Sequence, residues 1–150
     1  MANITASLVN ELRQRTGVGM MDCKKALVEC DGDMDKAIDY LREKGQKLAA
    51  KRADRDASEG AVLAGVNADK TFAAVIMMNC ETDFVAKNED FVAFTKTVLD
   101  AALAAKAQTM QDVLALEIEG KNVETMIVEQ VAKIGEKITL SHYLQIEAAA

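Results

Sequence analysis

The sequence predicts an α+β protein: a three-helix module, then a mixed core of a β-hairpin, a long helix, further helices and a C-terminal strand. Three observations carry that expectation. Alanine fills 25 of 150 positions and proline none, which favours helix. Apolar residues recur at helical spacing through the first 45 residues and again from about residue 83 to 134. Around them, Gly60–Val66, Thr71–Asn79 and Ile138–Ile146 have the short, apolar or alternating character of strands. Half the residues are hydrophobic and 28% are charged, so a packed core is expected. The length allows one domain, or one with a small companion.

The first helix is announced by Thr5 as N-cap, with Ile4 and Val9 spaced as a hydrophobic staple and Gly17 as the stop. A second begins near Met21 and places Cys23, Ala26, Leu27 and Cys30 on one face. Asp33 can cap a third, in which Met34, Ala37, Ile38 and Leu41 repeat and Gly45 marks the end. Gln46–Glu59 lacks a wide apolar stripe and reads as a linker or a solvated helix, so the module with its basic linker is assigned to residues 1–55 and the core to 56–150. Asn67-Ala68-Asp69-Lys70 joins two strands as a four-residue hairpin loop, and FAAVIMMN, apolar on both faces, should be a covered strand. Thr82 caps a long helix from Asp83 to about Lys106; a short helix follows Thr109, and another spans about Val123 to Ile134 before Gly135. In the last strand Ile138, Leu140, His142, Leu144 and Ile146 alternate with more polar residues and form its apolar face. So abrupt an end after an apolar strand is what a truncated or incomplete sequence would show, and an unpaired edge there would invite self-association.

Charge sorts the chain. Residues 1–56 hold 11 Lys and Arg against 10 Asp and Glu, whereas residues 57–150 hold 7 against 14. An acidic body repels phosphate backbones, so nucleic acid is not an expected partner. The one basic cluster, Lys44 to Arg55, is broken by Asp54 and reads as solvated. No apolar run approaches a membrane span, and the N-terminus lacks the pattern of a signal peptide, so no membrane partner is expected. Three irregularly spaced cysteines make no disulfide framework, and a reducing cytoplasm is the expected location.

Candidates for covalent chemistry are poor. Cys23 and Cys30 do not have zinc-knuckle spacing, and no metal or other cofactor is expected. Cys80 and the sole histidine, His142, are the only thiol–imidazole pair to weigh, yet Cys80 ends an apolar strand, where cysteine is normally inert. No phosphate-cradling glycine loop is present, so direct nucleotide binding is not expected and no catalytic residue is named. Two segments exceed ordinary packing. In Thr16-Gly17-Val18-Gly19-Met20-Met21, adjacent methionines point about 100° apart, leaving one for the core and one for a partner. In Thr82-Asp83-Phe84-Val85, at a strand-to-helix junction, Asp83 suits the helix dipole and composition alone would bury Phe84.

These residues resemble the bacterial elongation factor Ts family. ITASLVNELRQRTGVGMMDCKKAL matches its opening signature, GDMDKAIDYLREKG continues it, NCETDFVAKNEDF matches a second and VAKIGEKI a weaker third. The resemblance implies a module like the ubiquitin-associated (UBA) domain, followed by the first half of an α+β core. It implies a partner, elongation factor Tu, contacted by Thr16, Gly17, Met20, Met21 and Lys24. It also implies that Phe84, supported by Thr82, Asp83 and Val85, inserts near the partner's nucleotide-bound magnesium and promotes GDP release without covalent chemistry. Two departures temper it: family members continue into a second core subdomain, and paired arginines are replaced here by Thr139-Leu140-Ser141-His142. A docking-competent but weakened exchanger is therefore expected. The alternative is a non-enzymatic adaptor that binds a helix or a ubiquitin-like surface, which leaves residues 82–85 without a task.

Overall fold

In the computed structural model, residues 2–148 are described, and they form two compact units. The first runs through Ala53 and includes Val128–Gly135; the second comprises Asp54–Ile127 and the residues from Glu136 onward.

Three helices make the first unit's frame: α1 (Ala6–Thr16), α2 (Met20–Glu29) and α3 (Met34–Lys51). Thr5 caps α1 by accepting the Leu8 N–H at 3.1 Å, and Gly17 ends it with φ 71° and an N–H bonded to the Arg13 carbonyl. Asp33 caps α3 through the Lys36 N–H at 3.0 Å. Val9, Leu12, Val18, Cys23, Ala26, Leu27, Ala37 and Leu41 are buried together, with Leu8, Met34 and Ile38 around them. Gly45 does not end α3, contrary to the sequence expectation. It is buried inside the helix, where an added Cβ would lie 3.0 Å from the Ala132 Cβ. The absence of a side chain serves a close helix approach at this position, so α3 runs on to Lys51, into the stretch read as linker.

The second unit is built on an antiparallel sheet of β1 (Glu59–Val66), β2 (Phe72–Cys80) and β5 (Thr139–Glu147), with β2 central. Phe72, Ala74, Ile76 and Met78 turn one face of β2 inward, over the buried side of α5 (Glu89–Ala105) with Phe91, Phe94, Val98, Leu99 and Ala102. The opposite face of β2 (Ala73, Val75, Met77) is only half-buried, so this strand is covered on one side, not two. The connections are α4 (Asp83–Ala86), α6 (Met110–Ala115), a two-residue hairpin of β3 (Glu117–Ile118) and β4 (Lys121–Asn122), and α7 (Val123–Ile134). That hairpin has no apolar alternation to announce it; its turn residues Glu119 and Gly120 both have positive φ, as a tight hairpin turn requires. Among the described residues no helix is long and apolar enough to cross a membrane.

Two larger departures from the sequence reading have clear causes. The helix expected from Asp83 to Lys106 is two helices, because the Asn88 side chain accepts from the Asp90 and Phe91 N–H groups and starts a new helix. In β5, Met77 pairs with His142 but Met78 pairs with Leu140, so Ser141 is an extra residue in the ladder. Leu140 is buried before this bulge, and Tyr143 is buried after it, its hydroxyl donating to the Ala107 carbonyl at 2.6 Å. His142, Leu144 and Ile146, placed on the inward face by simple alternation, are instead exposed. The Ser141 hydroxyl donates to the Asn79 side-chain oxygen, and Asn79 donates to the Glu59 carbonyl at 3.0 Å, which fastens the bulge across all three strands.

Candidate functional site

In the first unit, the loop between α1 and α2 is ordered by Thr16. Its hydroxyl donates to the Leu12 carbonyl at 2.8 Å and accepts the Val18 N–H at 3.3 Å. Val18 then drops into the core, and Gly17 turns the chain through a left-handed conformation. α2 opens at Met20, and its buried positions begin only at Cys23, so neither methionine enters the core. Met20 is exposed and Met21 is 78% exposed, which corrects the expected division of one inside and one outside. Lys24 lies one turn beyond Met20, and Val28, exposed as well, one turn beyond that. The result is an outward row of Met20, Lys24 and Val28 beside Met21. The i, i+4 spacing that joins Met20 to Lys24 leads on to Val28.

The second unit carries the other candidate segment. β2 ends at Cys80, whose thiol donates to the Thr82 carbonyl at 3.2 Å. Burial, reinforced by the nearby Glu136 charge, pushes this thiol's pKa up to about 11. Burial also raises the pKa values of Cys23 and Cys30. Cys80 is therefore a poor nucleophile, while His142 faces solvent with its Nδ1 2.9 Å from the Ser141 hydroxyl. The structure gives the thiol–imidazole reading no support. Among the described residues, no group of three or more His, Cys, Asp and Glu side chains is arranged to hold a metal ion.

Thr82 caps the single turn of α4 through the Val85 N–H at 3.4 Å. Asp83 lies in the first turn and pairs with Lys87 at 3.6 Å, both side chains largely in solvent. Phe84 is 83% exposed, while Val85 is half-buried. A phenylalanine so exposed gains almost nothing from its own fold, since burial is the source of aromatic stabilisation. The turn is fastened from 54–55 residues downstream. One oxygen of Glu136 accepts the Glu81 N–H at 3.0 Å and the Thr82 N–H at 3.1 Å; the other accepts the Thr82 hydroxyl at 2.7 Å. In return the Glu81 carboxylate accepts the Lys137 N–H at 2.7 Å and pairs with Arg55 at 3.2 Å. Glu136 lies within the VAKIGEKI match, which marks the segment but assigns this residue no role; the long-range contact shows what its side chain does.

The outer face of the sheet is a further apolar surface, with Val62, Val66, Leu144 and Ile146 exposed around Ala64, Ala73 and Val75.

Comparison with known proteins gives a consistent result. Residues 81–150 match the family model described as Elongation factor TS. Over 148 residues the chain is 53% identical to Elongation factor Ts of Christiangramia forsetii, covering 99% of this chain and 53% of that protein. It is 54% identical over 145 residues to Elongation factor Ts of Amoebophilus asiaticus, covering 97% of this chain and 52% of that one. With Elongation factor Ts of Rhodopirellula baltica the identity is 52% over 147 residues, covering 98% and 44%. The chain spans about half the length of the curated relatives it matches.

Proposed function

From its relationship to elongation factor Ts, which runs through nearly the whole chain, we propose that this protein is a guanine-nucleotide exchange factor for elongation factor Tu. The first unit, read as a UBA-like docking module, contacts the partner through Thr16, Gly17, Met20, Met21 and Lys24. The Thr82–Val85 turn acts on the partner's nucleotide site. One observation carries this reading: a large aromatic ring, 83% exposed, stands on a one-turn helix whose base is hydrogen-bonded in place.

The physics is a transfer of binding energy. In a GTPase, magnesium bridges phosphate oxygens and offsets their charge. Phe84, inserted beside that site, stabilises the arrangement in which the ion and phosphates are poorly held, and Asp83 helps to keep the contact. The factor need not touch GDP. By linkage, each tenfold loss of nucleotide affinity is matched by about 1.4 kcal/mol of tighter factor binding to empty GTPase, and incoming nucleotide expels the factor through the same coupling. No bond is made or broken, so no catalytic residue or cofactor is required. Three free cysteines fit a reducing compartment, the cytoplasm. A pure adaptor has no use for the exposed ring at residue 84 and is the weaker reading.

The test is release of labelled GDP from elongation factor Tu. The chain should accelerate release, to a lesser degree than the longer relatives, and Phe84→Ala should remove most of the acceleration while docking persists. Equal release with both variants, at equal occupancy of the complex, would remove the ring from the mechanism.

A further inference from the structure

We propose that Glu136 is a positioning residue for exchange, holding the Thr82–Val85 turn in the shape that presents Phe84. This rests on the exchange-factor reading above and adds a residue to it.

α4 is four residues long and buries none of its side chains. A single helical turn has paid the cost of nucleation and gained almost nothing from propagation, so by itself it would open. The Glu136 carboxylate meets that deficit at the N-terminal side. It takes up the backbone N–H groups of Glu81 and Thr82 and the Thr82 hydroxyl, satisfying three donors with one side chain. The hydroxyl that donates to Glu136 is also the cap that accepts the Val85 N–H. Donating to a carboxylate directs the hydroxyl's lone pairs elsewhere and strengthens it as an acceptor, so the two bonds reinforce each other. The reciprocal bond from the Lys137 N–H to Glu81, together with the Arg55–Glu81 pair, fixes the segment carrying Glu136 against the end of β2. The Lys137 ammonium closes the set by donating to the Arg55 carbonyl at 3.0 Å. A ring held in advance loses less freedom on insertion than one on a fluctuating loop, and the gain appears as faster exchange.

Two measurements on the full chain test this. The first is amide hydrogen exchange of the free protein. Glu136→Ala should expose the Thr82, Val85 and Ala86 amides to exchange about tenfold faster, with α5 amides unchanged. Glu136→Gln, which keeps an acceptor oxygen for the two N–H groups, should stay within about threefold of the parent chain. The second is labelled GDP release from elongation factor Tu in four backgrounds: parent, Glu136→Ala, Phe84→Ala and the double variant. Glu136→Ala should lower the acceleration about tenfold when Phe84 is present and leave it unchanged when Phe84 is absent. A general loss of stability would instead lower activity in both backgrounds and would not be rescued by glutamine. If the parent chain accelerates release and Glu136→Ala matches it, or if the α4 amides keep their protection, the positioning role is overturned and the exchange function stands. If the parent chain leaves release unchanged, the exchange reading fails, and the role of Glu136 fails with it.

Discussion

Gly60 offers the sharpest test of how the sheet is held. It sits in β1 opposite Asn79. A Cβ added there would come within 2.5 Å of the Met78 carbonyl oxygen, 3.1 Å of the Asn79 Cα and 3.2 Å of its side-chain nitrogen. The first two are backbone atoms of the central strand, so relief requires β1 and β2 to move apart. Overpacking of this kind costs about 1–3 kcal/mol, and backbone contact places Gly60→Ala in the upper part of that range. Alanine returns roughly 0.5–1 kcal/mol by restricting the unfolded chain. The net loss is then about 2 kcal/mol, which lowers the melting temperature by about 4–8 °C for a chain of this size. Gly65→Ala in the same strand is the control. Its Cβ would meet only side-chain tips, those of Leu103 and Leu99 at 3.0 and 3.5 Å, which need to give by a few tenths of an ångström with no movement of backbone, so its cost should be smaller, about 1 kcal/mol or less. Urea titrations followed by far-ultraviolet circular dichroism compare the three proteins. A Gly60→Ala midpoint equal to that of the parent, or an equal loss in Gly65→Ala, would refute the assignment of the cost to backbone contact.

Met20→Ala and Met21→Ala should each change unfolding free energy by less than about 0.5 kcal/mol, because both side chains are exposed, yet weaken capture by elongation factor Tu in a binding titration. For Cys80, burial lifts the folded-state pKa to about 11, above the ordinary thiol value of 9.0, so folding favours the neutral thiol. Its contribution is fully present below pH 9 and is lost as pH rises from 9 towards 11, where only the unfolded chain ionises. Urea midpoints should therefore fall across that window, less steeply in Cys80→Ala, and a fluorescent maleimide at pH 8 should label Cys80 more slowly than a free thiol.

Local grammar made much of the first unit legible. Thr5, Gly17 and Asp33 are caps whose chemistry acts within four residues, so reading them needs no knowledge of the tertiary fold. The hairpin of β1 and β2 was legible for the same reason. Gly45 misled because glycine ends helices when its φ must be positive, whereas here it makes room for Ala132. Asn88 is tolerated inside many helices, so its restart of the helix shows only once its side chain is seen turned back onto Asp90 and Phe91. Composition alone would have buried Phe84; only the family signature marked it as a contact residue. Glu136 could not be found by spacing at all, since its partners lie 54 and 55 residues away and no local rule joins them.

The extra residue in β5 has a bearing on how this chain can diverge. Ser141 sets the parity of every side chain that follows, so its loss would send Leu144 and Ile146 towards the interior and turn Tyr143 out into water. Substitutions beyond the bulge therefore answer to different selective pressures at neighbouring positions. Those at 143 are judged by packing and those at 144 and 146 by solubility, while a one-residue deletion at 141 exchanges the two judgements at a stroke.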